Sequence, residues 1–96
     1  MKIEVHRASA EDAEIIAPLF DAYRMFYNQS SDIDGSLRFV KERLQQNESV
    51  IFIAFINDRA IGFIQLYPVF TSVGMQRAWL LNDLFIHPSA RGKGPP

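Results

Sequence analysis

Trp79-Leu80-Leu81-Asn82-Asp83-Leu84-Phe85-Ile86-His87-Pro88-Ser89-Ala90-Arg91-Gly92-Lys93-Gly94 is the stretch that decides the fold. It opens as an apolar run broken by two polar side chains, Asn82 and Asp83, and has the length of a strand. A strand this apolar belongs inside a sheet with partners on both edges. It leads into a loop in which Gly92 and Gly94 admit positive φ and close backbone approach, while Arg91 and Lys93 supply two cations. Successive amides in such a turn form a concavity for an anion, most stably where a following helix adds its free amides. A phosphate or pyrophosphate is the natural guest. The loop is not a nucleotide P-loop, because no Ser or Thr follows Lys93, and it lacks the third glycine of a dinucleotide fingerprint. On spacing alone, a basic tail at a chain end is the simpler reading of the same four residues.

Upstream, Val50 to Ile56 is a continuous β-branched and aromatic run, which predicts a strand covered on both faces. Asn57-Asp58-Arg59 is turn chemistry, and Ala60 to Tyr67 forms the returning arm of an antiparallel hairpin, which Pro68 is expected to end or bend. Nearer the N-terminus, Lys2 to Arg7 alternate as a short half-buried strand, with Ile3 and Val5 on one side and Glu4 and His6 on the other. Ser9-Ala10-Glu11-Asp12 reads as a helix start capped by the Ser9 hydroxyl. Ile16, Leu19, Phe20, Tyr23, Phe26 and Tyr27 then form one apolar stripe, in which Pro18 predicts a kink or a late start. A polar loop over Asn28 to Asp32 precedes a second helix marked by Ile33, Leu37, Val40 and Leu44 and ending near Gln46. The order β-α-α-β-β-β predicts an α+β fold: an antiparallel meander with two helices covering a face.

Composition narrows the function classes. The 96 residues, 48% hydrophobic and 22% charged, suit one small globular domain. A net charge of −1 supplies no general field for nucleic acid or an anionic membrane, so neither is expected as a partner. The chain has no cysteine, hence no disulfide framework or thiolate zinc site, which fits a reducing compartment. No apolar run approaches the roughly 20 residues of a membrane helix. A cytoplasmic protein is the expectation. His6 and His87 lack a spaced second ligand, so no metal is assigned. Trp79 is assigned to the core, and Lys41, Glu42 and Arg43 to the solvated face of the second helix.

The chain resembles the GNAT superfamily of acyl-CoA-dependent N-acetyltransferases. The resemblance runs through all 96 residues. It is carried by Ala10-Glu11-Asp12-Ala13 at the first helix, the hairpin with Gly62, and Leu81-Asn82-Asp83-Leu84-Phe85-Ile86-His87-Pro88 leading into Ala90-Arg91-Gly92-Lys93-Gly94. It implies the N-terminal half of a GNAT-type α/β sandwich, residues 1–96 being a single N-terminal portion truncated within the pyrophosphate loop. The family loop has Arg or Gln first, Gly fourth and Gly or Ala sixth, which aligns Arg91, Gly94 and Pro96. Pro95 and Pro96 depart from the pattern, because proline has no amide to give to phosphate.

By the same resemblance, acetyl-CoA is the acyl donor and a primary amine of a small molecule the acceptor. Leu84, Phe85 and Ile86 bind the coenzyme through the backbone of a bulged strand, and Arg91, Gly92, Lys93 and Gly94 bind its pyrophosphate. Asp83, with Asn82 beside it, holds or deprotonates the amine, while Phe26, Tyr27 and Tyr67 line the acceptor pocket. Related polyamine enzymes carry an acidic pair where Asn82 is neutral, which weighs against polyamines. The family's general acid, a tyrosine, falls in a region these residues do not include, so weak or no transfer is expected of the 96 residues alone. The alternative is a non-catalytic fragment or interaction domain that pairs its last strand with a second copy, a strand-exchanged homo-oligomer.

Overall fold

The structure, a computed structural model, describes residues 2–90. Arg91, Gly92, Lys93 and Gly94 therefore lie outside the described residues. Strand β1 (Ile3–Arg7) leads through a 3-10 turn (Ala10–Asp12) into helices α1 (Ala13–Phe26) and α2 (Ile33–Gln45). Strands β2 (Val50–Ile56), β3 (Arg59–Thr71) and β4 (Gln76–Ile86) follow, with a second 3-10 turn at Pro88–Ala90. The order is the α+β arrangement expected from the sequence. The four strands form one antiparallel sheet in the order β1-β2-β3-β4. None of the described helices is long and apolar enough to cross a membrane.

The helices lie on one face of the sheet because the apolar stripes match there. Ile16 and Leu19 of α1 and Val40 of α2 pack with Ile51 and Ile53 of β2, Phe63 of β3 and Phe85 of β4. Burial of each large side chain contributes about 1.5–3 kcal/mol. Strand alternation turns Phe52, Ala54, Ile64 and Leu84 to the other face. No described element covers that face, so β2 is not enclosed on both sides as its composition suggests: Phe52 and Ala54 are half-buried and Leu84 is 57% exposed. Ile3 and Val5 share it through their pairing with Ile56 and Ala54, and so stand exposed instead of inside.

Three local expectations are corrected. Pro68 neither ends nor interrupts β3, which runs on to Thr71 paired with β4. Beyond Leu66 the strand has lost its β2 neighbour, and proline is tolerated where one strand edge carries no ladder. Trp79 is not in the core but 47% exposed, because it pairs with Pro68 on this protruding hairpin, with the Arg77 guanidinium 5.9 Å from its ring. Pro18 does not set the start of α1: it lies inside the helix, which begins at Ala13 after the 3-10 turn. Its cap is closed from the Asp12 side: the carboxylate accepts the Ser9 amide at 2.8 Å, while the Asp12 amide donates to the Ser9 carbonyl at 2.9 Å.

The junction between the helices rests on a residue the sequence reading passed over. Asp21, 4% exposed, accepts the Asp32 amide at 2.6 Å and the Ser31 hydroxyl at 2.7 Å. The amide hydrogen bond is the main reason its carboxyl is held below the ordinary aspartate range, with Ser31 and the Arg24 charge adding to it against the opposing effect of burial. Because its pKa is lowered by folding, Asp21 stabilises the fold above the ordinary value of 3.8, and the contribution is lost as pH falls through the lower folded value. Asp21→Ala is expected to lower unfolding free energy by about 2 kcal/mol in urea titrations at neutral pH. The gap to the parent should close in acid.

Candidate functional site

The site forms where the pleat of the β3–β4 hairpin is broken beneath α1. Gln65 pairs with Asp83, but the next residue of β3, Leu66, pairs with Leu81, so Asn82 is an extra residue on β4 and marks a β-bulge. Asp83 falls on the helix-side face between Phe85 and the bulge and is 8% exposed, whereas Asn82 is exposed. Two neutral donors hold the carboxylate. The Tyr23 hydroxyl of α1 donates to Oδ1 at 2.9 Å, and Nε2 of Gln65 donates to Oδ2 at 2.8 Å. No Lys, Arg or His among the described residues lies within ion-pair distance of it.

Gln65 is fully buried, and turning its Nε2 toward Asp83 leaves its Oε1 with no hydrogen-bond donor among the described residues. Such an orphaned group costs about 1–3 kcal/mol. Tyr23 is clamped on its apolar sides, its ring edge-on to Phe63 at 5.6 Å and to Phe85 at 5.7 Å. Burial first, then the hydrogen bond to Asp83 and its charge, push the Tyr23 phenol up to about 12. It is a donor, not a phenolate, at any physiological pH. Tyr67 is also raised, by burial first and then by the charge of Asp83, with Arg43 opposing.

Of the residues singled out in the sequence, Asp83, Tyr27 and Tyr67 come together here. Tyr27 stacks edge-on to Tyr23 at 5.3 Å and Phe26 edge-on to Tyr27 at 5.4 Å, a ladder of rings that leads from Asp83 to the surface. Phe26 and Tyr27 are 57% and 61% exposed. Leu84 points to the opposite face of the sheet, and the Phe85 side chain belongs to the core, so any coenzyme contact at Phe85 falls to its backbone. β4 ends at Ile86 and is followed by the Pro88–Ala90 turn, the last of the described residues. Ser89 in that turn accepts a hydrogen bond from Arg59 at 3.0 Å, and its amide donates to Nδ1 of His87 at 3.1 Å. No group of three or more potential ligands that could hold a metal occurs among the described residues.

Tyr23 and Gln65 were missed as site residues. Gln65 carried a signal: it falls on the period-2 face of Ile61 and Phe63, where a polar side chain needs a partner. Tyr23 was legible only as one more ring in an apolar stripe.

Residues 16–94 match the model of the acetyltransferase (GNAT) family. The chain belongs to that family. It is 53% identical over 92 residues to the uncharacterized N-acetyltransferase YhfO of Bacillus subtilis strain 168, covering 96% of this chain and 62% of that protein. Among solved structures, it superposes on a probable acetyltransferase with a TM-score of 0.85 at 40% identity, covering 93% of this chain and 60% of that one. A predicted acetyltransferase from Clostridium acetobutylicum, solved with acetyl-CoA, shares the fold with a TM-score of 0.74 at 18% identity, over 97% of this chain and 65% of that one. The GNAT chain described here thus spans about three fifths of the length of the first two.

If the phenol is held as described, Asp83→Asn removes a charge without changing shape. Tyr23, titrating near 12 in the parent, should then ionise part of the way back toward 10, burial accounting for what remains. The difference in phenolate absorbance between parent and Tyr23→Phe isolates this group from the other two tyrosines.

Proposed function

We propose that this GNAT chain carries the amine-binding and much of the coenzyme-binding surface of an enzyme that moves an acetyl group from acetyl-CoA to a primary amine of a small molecule. The observation that carries the reading is a buried carboxylate with no cationic partner among the described residues, held in place by two neutral donors at a strand bulge. A carboxylate of this kind is costly to the fold and suits a positively charged guest. Acetyl-CoA would supply the acetyl thioester, and the acetyl–nitrogen bond forms as the carbon–sulfur bond breaks. The amine must first lose its ammonium proton. Asp83 attracts and orients the ammonium and accepts that proton directly or through water. Asn82, displaced outward by the bulge, adds a polar contact at the rim.

For the donor, the residues fit an extended thioester arm. The bulge falls at Asn82, and Leu84 to Ile86 lead on to the turn that precedes Arg91, Gly92, Lys93 and Gly94 in the sequence. In this reading the arm lies beside Leu84–Ile86 and the pyrophosphate meets the two cations and the glycine amides of the loop. Assayed by release of free thiol from acetyl-CoA with a panel of primary amines, the protein at the full length of its relatives should lose about 100-fold or more in rate on Asp83→Asn, with coenzyme A affinity unchanged in calorimetry. Transfer that survives Asp83→Asn at the parent rate would overturn the assignment.

A second reading is favoured by one observation. Trp79, Leu80, Leu81 and Leu84 are each about half exposed along β4, which with β1 forms the two edges of the described sheet. Such an edge is a template for pairing with a second copy. Light scattering of the 96-residue chain at high concentration should then give the mass of a dimer, and a monomer would count against it.

A further inference from the structure

The acceptor surface is selective in charge and in shape, and this inference rests on the amine-acetyltransferase reading above. Among the described acids, Asp83 is the one whose charge reaches Tyr23 and Tyr67. At Tyr67 the opposing charge is that of Arg43, whose guanidinium is held by Glu42 at 2.9 Å and Glu48 at 3.0 Å. One ammonium therefore finds a carboxylate here, and a second positive charge finds none. Asn82, the polar residue next to Asp83 on the strand, is neutral. The remaining surface is aromatic. Tyr23, Tyr27 and Phe26 form a continuous edge-to-face series with centroid spacings of 5.3 and 5.4 Å, buried at the Asp83 end and more than half exposed at the other. Edge-to-face rings leave a face of the outer members for a further ring, and an ammonium near the inner ones gains cation–π attraction.

We propose that the acceptor is a primary amine with a single positive charge and an aromatic body, its ammonium at Asp83 and its ring against Tyr27 and Phe26. A polyamine would leave its second charge unpaired beside aromatic rings.

Calorimetric titration with phenethylamine, butylamine and putrescine tests this. Phenethylamine is expected to bind about tenfold or more tightly than either of the others, a margin within reach of ring stacking and cation–π contact. Asp83→Asn should abolish binding of all three. Tyr27→Ala, a change at an exposed rim position that spares the core, should remove most of the preference for phenethylamine over butylamine. Putrescine binding as tightly as phenethylamine, or an unaltered preference in Tyr27→Ala, would overturn the inference and leave the amine reading standing. Absence of binding by every amine would overturn both.

Discussion

The carboxylate of Asp83, fixed between the hydroxyl of Tyr23 and the amide of Gln65, is the constraint on which the rest of the site depends. It joins α1 to both arms of the long hairpin across a buried gap, with hydrogen bonds of 2.9 and 2.8 Å. Hydrogen bonds to a charged group contribute about 1.5–3 kcal/mol each, whereas removal of an ion from water costs several kcal/mol even after relaxation. The two donors offset that cost only in part, and the orphaned Oε1 of Gln65 adds to it. An apolar trio would pack there at lower cost. A fold that keeps an expensive, well-oriented anion at a residue only 8% exposed breaks its own packing rules where function is expected.

The bulge at Asn82 makes this arrangement possible. In an unbroken pleat the face of Asp83 would carry on through Leu81; with one extra residue, Leu81 crosses to the opposite face with Leu66, and Leu80 joins Tyr67 on the helix side. The same irregularity separates the two halves of β4. Its inner half, Asp83 to Ile86, is bound into the core by Phe85, while its outer half extends past the end of β2 with Trp79, Leu80 and Leu81 exposed. One strand thus has two parts, an inner one built into the core on the helix side and an outer one that is exposed.

Much of this architecture could be read from the sequence because period and composition change together. The Val50–Ile56 run, the Asn57–Asp58 turn and the helical stripe from Ile16 to Tyr27 each admit one good solution, and the family resemblance rests on Ala10–Ala13, the hairpin with Gly62 and the segment from Leu81 to Gly94. What could not be read depends on register. Pro68 argues against a strand until β2 is known to stop opposite Leu66. Trp79 is core-like by type, yet the length of the hairpin carries it past the layer that would bury it. The partners of Asp83 are 60 and 18 residues away in sequence, so their meeting follows from the packing angle of α1 and from the bulge, neither of which leaves a local signature.

A double-mutant cycle between Tyr23→Phe and Asp83→Ala, read by urea unfolding of parent, single and double variants, tests most directly whether these side chains act as one unit. Anchoring of the carboxylate by α1 requires a coupling energy of about 1–3 kcal/mol, since each substitution removes the same hydrogen bond. Effects that add within about 0.3 kcal/mol would show that the carboxylate is not anchored by α1, and the site as described would not exist.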